Sequence, residues 1–198
     1  MKYDPIKHHR RSIRLRGYDY AQAGTYFVTI VAHDRECPFG EIGDGRMALS
    51  RAGRTVQHAW LDLPNHYPHV ILGEFVIMPN HVHGIIILMD QPVGRGGSVS
   101  GEIPLRSQAY SDPGVLPDRA ETRPYTRKCH GLPEIVRAFK SFSARRINAM
   151  RHIPGAPAWQ RNYYEHIVRN DEELARIRKY IRDNPLKWEV DRENPAGG

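Results

Sequence analysis

Two apolar segments, 70–78 (VILGEFVIM) and 81–89 (HVHGIIILM), are separated only by Pro79 and Asn80. Two strand-like runs on either side of a two-residue turn signal must fold back on one another as an antiparallel pair, and the rest of the chain has to cover that pair. A third strand is expected at 24–33 (GTYFVTIVAH), where β-branched and aromatic residues follow a turn-forming glycine. After a Gly-rich turn, 46–49 reads as a short further strand, and Ser50 is placed to cap a helix over 51–63 that Pro64 and Pro68 end.

Segment 132–150 repeats Ile135, Phe139 and Phe142 at helical spacing, while Arg137, Lys140, Arg145 and Arg146 give it a cationic outer surface. A loop with Pro154, Gly155 and Pro157 leads into AWQRNYYEHIVRN, to which no element is assigned. Asn170 with Glu173 three residues later is a capping signal for a last helix to about Asp183, stopped by Pro185. This order of elements implies an α+β fold with helices packed on one face of an antiparallel sheet. One domain over 1–198 is expected, interrupted at about 90–130 by an insertion with ten Gly or Pro in 41 residues and little periodicity.

The longest apolar run, 85–89, is far too short to span a bilayer, and the N-terminal segment has no apolar core for a secretory signal, so a cytoplasmic protein without a membrane partner is expected. Two cysteines far apart, Cys37 and Cys129, exclude a C-x-x-C metal or redox centre. The formal charge of +7 favours a polyanionic partner through counterion release. Arg10, Arg11 and Arg14 in the N-terminal arm, with Lys140, Arg145 and Arg146 on the amphipathic helix, are the candidates for DNA backbone contacts; each also fits a solvated surface.

The chemistry centres on Met78-Pro79-Asn80-His81-Val82-His83-Gly84. Histidines at i and i+2 of a strand project to one face, so both imidazoles can converge on a single ion, and Gly84 leaves room beside them. A hard divalent cation also wants oxygen ligands. In the last helix Tyr180 and Asn184 are four residues apart, on the flank of the stripe formed by Leu174, Ile177 and Ile181. Asn184 can complete a His81, His83, Asn184 triad around Mg²⁺ or Mn²⁺, with Tyr180 one turn away as a nucleophile toward phosphorus. The plainer readings are a solvated histidine pair, a boundary aromatic and a C-terminal cap.

Together GTYFVTI, LSRAG, FVIMPNHVHGIIIL, FKS, WQRNYYEHIVRN and YIRDNP resemble the REP-associated tyrosine transposases of the HUH single-strand DNA nuclease and transposase superfamily. The resemblance runs from about residue 17 to 188, apart from the insertion. It implies a ferredoxin-like antiparallel sheet, His81 and His83 as the metal-binding pair, Asn184 as third ligand and Tyr180 as nucleophile. It also implies cleavage of single-stranded DNA near hairpins of repeated extragenic palindromes, through a covalent 5′-phosphotyrosine, by a monomer or a homodimer. Tyr163 and Tyr164 are rival nucleophiles, but neither has an oxygen ligand at helical spacing beside it. Two other classes remain open: a non-catalytic nucleic-acid-binding module stacking bases on Tyr26, Phe27 and the histidines, and a metal-dependent hydrolase without a covalent intermediate.

Overall fold

The computed structural model describes residue 15 and residues 17–90 and 130–195. Arg10, Arg11, Arg14 and nearly all of the 90–130 insertion lie outside the described residues. Strand β1 (Gly24–Val31) is followed by a small hairpin, β2 (Gly40–Gly43) and β3 (Arg46–Leu49), then by helices α1 (Arg51–Leu61) and α2 (Leu63–His66). Strands β4 (Val70–Ile77) and β5 (His81–Leu88), helix α3 (Leu132–Arg151), strand β6 (Tyr164–Val168) and helix α4 (Asp171–Asp183) complete the order, with a 3₁₀ segment at Asn184–Val190. Among these described residues no helix is long and apolar enough to cross a membrane.

The main sheet has the order β4-β5-β1-β6, and every neighbouring pair is antiparallel. With the small hairpin set aside, β1-α1-β4-β5-α3-β6 is the βαββαβ pattern of a ferredoxin-like fold, the architecture expected. The hairpin of β4 and β5 forms as its two apolar runs dictate. Strand β2 was not expected, because GEIG has only four residues and two glycines; its pairing is set by Asp44-Gly45, both at positive φ, which make the tight turn into β3. Pro64 falls inside the first turn of α2, where its missing N–H costs nothing, so it follows the end of α1 and starts a new helical turn.

Strand β6 was also missed, since Tyr164-Glu165-His166 carries polar residues on both faces of an edge strand. Its register against β1 sets His166 opposite Phe27 and Tyr164 opposite Thr29. Alternation then sorts the sheet into two faces. Tyr26, Val28, Ile30, Val82, Ile86 and Leu88 join Val56 and Trp60 of α1 and Ile135 and Phe139 of α3 in the main core. Phe27 and Ile85 point the other way and pack under Leu174, Ile177 and Ile181 of α4. Only α1 and α3 therefore share a face; α4 crosses the opposite one, because its apolar stripe is the cover available for Phe27 and Ile85.

Both predicted caps form: Ser50 Oγ accepts from Gly53 N at 3.0 Å, and Asn170 Oδ1 accepts from Glu173 N at 2.8 Å. Gly84 is required by packing, since a Cβ there would run into the ring of Trp60, which is fully buried. Gly84→Ala is expected to cost about 1–3 kcal/mol by overpacking, read as a lowered denaturation midpoint with unchanged slope.

Candidate active site

Because β5 alternates, Val82 and Gly84 serve the main core while His81 and His83 face α4 and the segment after it. The two imidazoles are buried, with 0% and 3% of their surfaces exposed. Their Nε2 atoms stand 3.0 Å apart, and each Nδ1 is engaged elsewhere: His83 with Thr29 Oγ1 at 2.8 Å, His81 with Asn80 Oδ1 at 2.8 Å. Asn80 is itself oriented by its amide, which donates to the Glu193 carbonyl at 2.6 Å and the Arg35 carbonyl at 3.2 Å. Its oxygen can only accept, so the proton of His81 sits on Nδ1 and Nε2 keeps a bare lone pair toward the site.

Helix α4 brings Tyr180 Oη to 3.2 Å from His83 Nε2, with the phenol ring edge-on to the imidazole at 5.1 Å between centroids. One turn on, Asn184 is 1% exposed, and its Oδ1 has no hydrogen-bond donor among the described residues. A buried carbonyl oxygen without a donor, on a residue that lines the same cleft as His83 and Tyr180, is the mark of a site completed by a ligand. The 3.0 Å between imidazole nitrogens also matches neighbouring ligands on an octahedral cation held at about 2.1 Å, which lie about 3 Å apart. The donor set therefore fits a hard divalent cation.

Sequence reasoning missed Asp191, whose carboxylate lies with the two histidine nitrogens inside one cluster, all ligand atoms within 4.8 Å of one another. It comes from the irregular segment after the 3₁₀ turn, whose polar sequence offers no periodicity to read. Asn80 was read only as a turn residue; its carboxamide next to His81 was the available signal. A cleft of about 580 Å³ opens over this group, and Arg35, Lys187 and Arg192 stand on its wall as cations on the site's own face.

Of the cations expected to meet DNA, Lys140 is held inward: its Nζ donates to the carbonyls of Gln160 at 2.9 Å and Asn162 at 2.8 Å, and burial lowers its pKa to about 8. It pins the loop before β6. Arg145 lies over the Phe142 ring and Arg146 reaches Asp62 at 3.9 Å, both exposed on the outer side of α3. The sheet and the α1/α3 layer separate those two arginines from Tyr180.

Burial lowers the pKa of His81 to about 4, against a smaller opposite pull from Asp191. Burial, and then the charge of His81, takes His83 well below its ordinary value. Both rings are thus neutral near pH 7, the form that binds a metal. Burial raises the Tyr180 phenol above its usual value, with Asp191 and Glu193 adding to the rise and the Asn184 side chain opposing it. The phenol keeps its proton until positive charge arrives nearby. The unfolded chain takes up protons near pH 6.5 and the folded one does not, so stability of the metal-free protein is complete above about 6.5 and falls as pH drops toward 4. The expected loss from His81 is about 3 kcal/mol, measured as unfolding free energy against pH, with His81→Asn flattening the slope.

The chain is thus an antiparallel ferredoxin-like sheet that buries two neighbouring imidazoles under a tyrosine-bearing helix. The solved structure of a REP-associated tyrosine transposase bound to a REP hairpin superposes on 88% of this chain and 73% of its own, with a TM-score of 0.53 at 18% identity. In sequence, the chain is 26% identical over 169 residues to a Haemophilus influenzae protein provisionally named a REP-associated tyrosine transposase, covering 85% of this chain and 74% of that one. It is 38% identical over 190 residues, 96% of each chain, to an uncharacterized protein of the same organism. No protein-family model matches. The chain belongs to one family with that 38% identical protein, and its likeness to the REP-associated tyrosine transposases holds in overall sequence and in fold.

Proposed function

We propose that this protein is a metal-dependent single-strand DNA endonuclease and strand transferase that acts next to hairpins of the REP type through a covalent 5′-phosphotyrosine at Tyr180. The observation that carries the reading is Tyr180 Oη at 3.2 Å from His83 Nε2, itself 3.0 Å from His81 Nε2, in a cleft that Asn184 and Asp191 also line. The name of the 26% identical relative and the hairpin bound in the solved structure support the substrate class. Localisation with the DNA in the cytoplasm follows from that substrate.

His81, His83 and Asn184, with Asp191 as a further oxygen donor, would hold Mg²⁺ or Mn²⁺. When bound, the cation supplies charge that offsets a phosphoryl oxygen and eases loss of the phenolic proton. The protein's own groups do the rest. Asn80 and Thr29 fix the imidazoles through Nδ1 so that both Nε2 atoms come together in the pocket. Phe27, edge-on to Tyr180 at 6.0 Å, holds the phenol ring over His83. Tyr180 gives its phenolic proton to solvent, Oη forms a bond to phosphorus as the bond to the 3′ oxygen breaks, and that oxygen takes a proton from solvent and leaves as a hydroxyl. Reversal by another 3′-hydroxyl rejoins strands with no external energy source. Lys187 and Arg192, on the wall of the same cleft, are placed to take phosphates of the strand.

Incubation with labelled hairpin-bearing single-stranded DNA and Mg²⁺ or Mn²⁺ should give a denaturation-resistant conjugate whose labelled peptide contains Tyr180. Tyr180→Phe should abolish it; cleavage that survives this change would indicate an activated water instead. His81→Ala or His83→Ala should reduce metal-dependent cleavage at least about a hundredfold while salt-sensitive DNA binding persists. Equal loss of both would make the histidines structural.

A further inference from the structure

Beside the cleft lies a second cavity of about 370 Å³ on the same face of the sheet. Phe27, Tyr164 and Tyr180 border both spaces, so these three rings are the partition between them, while His166, Glu173 and Arg176 line the second alone. Register places Tyr164 and His166 on the site's face of β6, and helical spacing places Glu173, Arg176 and Tyr180 along one side of α4. We propose that this cavity is a nucleobase subsite, which takes one unpaired base adjacent to the phosphate at Tyr180, stacks it on Tyr164 and reads its edge with Glu173 and Arg176. The proposal deepens the reading of Tyr180 as the nucleophile on single-stranded DNA and rests on it.

Tyr164 is 45% exposed, a large aromatic left open on an edge strand, and Phe27 supports it from beneath at 6.3 Å with the rings steeply inclined. An aromatic ring held at its edge with surface open to solvent is a stacking platform, and stacking accepts any base. The rim adds direction. Glu173 Oε1 accepts from His166 Nε2 at 2.7 Å and Oε2 accepts from Arg169 N at 2.8 Å, so two donors fix the carboxylate in place. An ionised carboxylate can only accept, and its remaining lone pairs suit an exocyclic amino group. Arg176, exposed one turn along α4, presents donors that suit a ring nitrogen or carbonyl oxygen. The Tyr180 phenol thus has the histidine pair on one side and this acceptor and donor pair on the other. A strand whose phosphate sits at Oη places the neighbouring base over Tyr164 within a single nucleotide step.

The test uses the full chain carrying Tyr180→Phe, so that bound DNA stays intact, and hairpin oligonucleotides with 2-aminopurine at each unpaired flanking position in turn. Strong fluorescence quenching is expected at one position next to the scissile phosphate, retained with Tyr164→Phe and lost with Tyr164→Ala. An abasic site at that position should weaken binding about tenfold or more, while abasic sites two or more positions away should not. Quenching equal at all positions, or unchanged by Tyr164→Ala, would overturn the subsite. Normal phosphotyrosine conjugate from the wild-type protein with no position-specific quenching or abasic effect would refute the subsite alone. Specific quenching with no conjugate would refute the nucleophile and leave the base site standing.

Discussion

The central strand β5 has to satisfy two incompatible surroundings at once. Every second residue belongs to an apolar core, yet His81 and His83 put two imidazoles into a buried space where a positive charge is costly. The fold meets this by keeping both rings neutral and engaging each Nδ1 in a hydrogen bond: His81 Nδ1 donates to Asn80 Oδ1, and His83 Nδ1 pairs with Thr29 Oγ1 on the neighbouring strand. Only the Nε2 atoms remain, and the pleat points both the same way. The position of α4 follows from the same constraint, because the face that carries the histidines also exposes Phe27 and Ile85, and the helix that covers these brings Tyr180 to the imidazoles.

Electrostatics and packing reinforce one another in this pocket. Burial that holds the histidines neutral also holds the phenol protonated, and Asp191 and Glu193 raise its pKa further. Such a pocket is poised for a cation: negative and neutral donors converge, an oxygen of Asn184 lacks a partner, and the phenol is restrained until positive charge enters. Burial alone would produce inert histidines. The orphaned oxygen and the carboxylate distinguish this site from a polar core that satisfies itself.

Much of this was legible in residues with strong local rules. The two apolar runs around Pro79-Asn80 form the hairpin, Ser50 and Asn170 cap their helices, and i to i+2 spacing puts the histidines side by side. What escaped has weak local signal. GEIG and YEHIV become strands only through their partners β3 and β1, and α4 takes the second face of the sheet because of Phe27 and Ile85, a long-range packing demand. Asp191 reaches the histidines from irregular backbone, which no periodicity reveals. The bonds of Lys140 to the carbonyls of Gln160 and Asn162 were not legible either, because helical spacing identifies an outward face but not a carbonyl-rich loop lying against it.

Asn80 joins two parts of the molecule more than a hundred residues apart. Its oxygen sets the tautomer of His81, and its nitrogen holds the backbone of Glu193, next to the stretch that contributes Asp191. A chain shortened ahead of that stretch would lose more than a carboxylate: the amide would keep only its longer bond to the Arg35 carbonyl, and the tautomer of the ring would be held less firmly. The stretch from Asp191 to Glu193 is therefore a keystone of the histidine pair, although none of its side chains belongs to the apolar core.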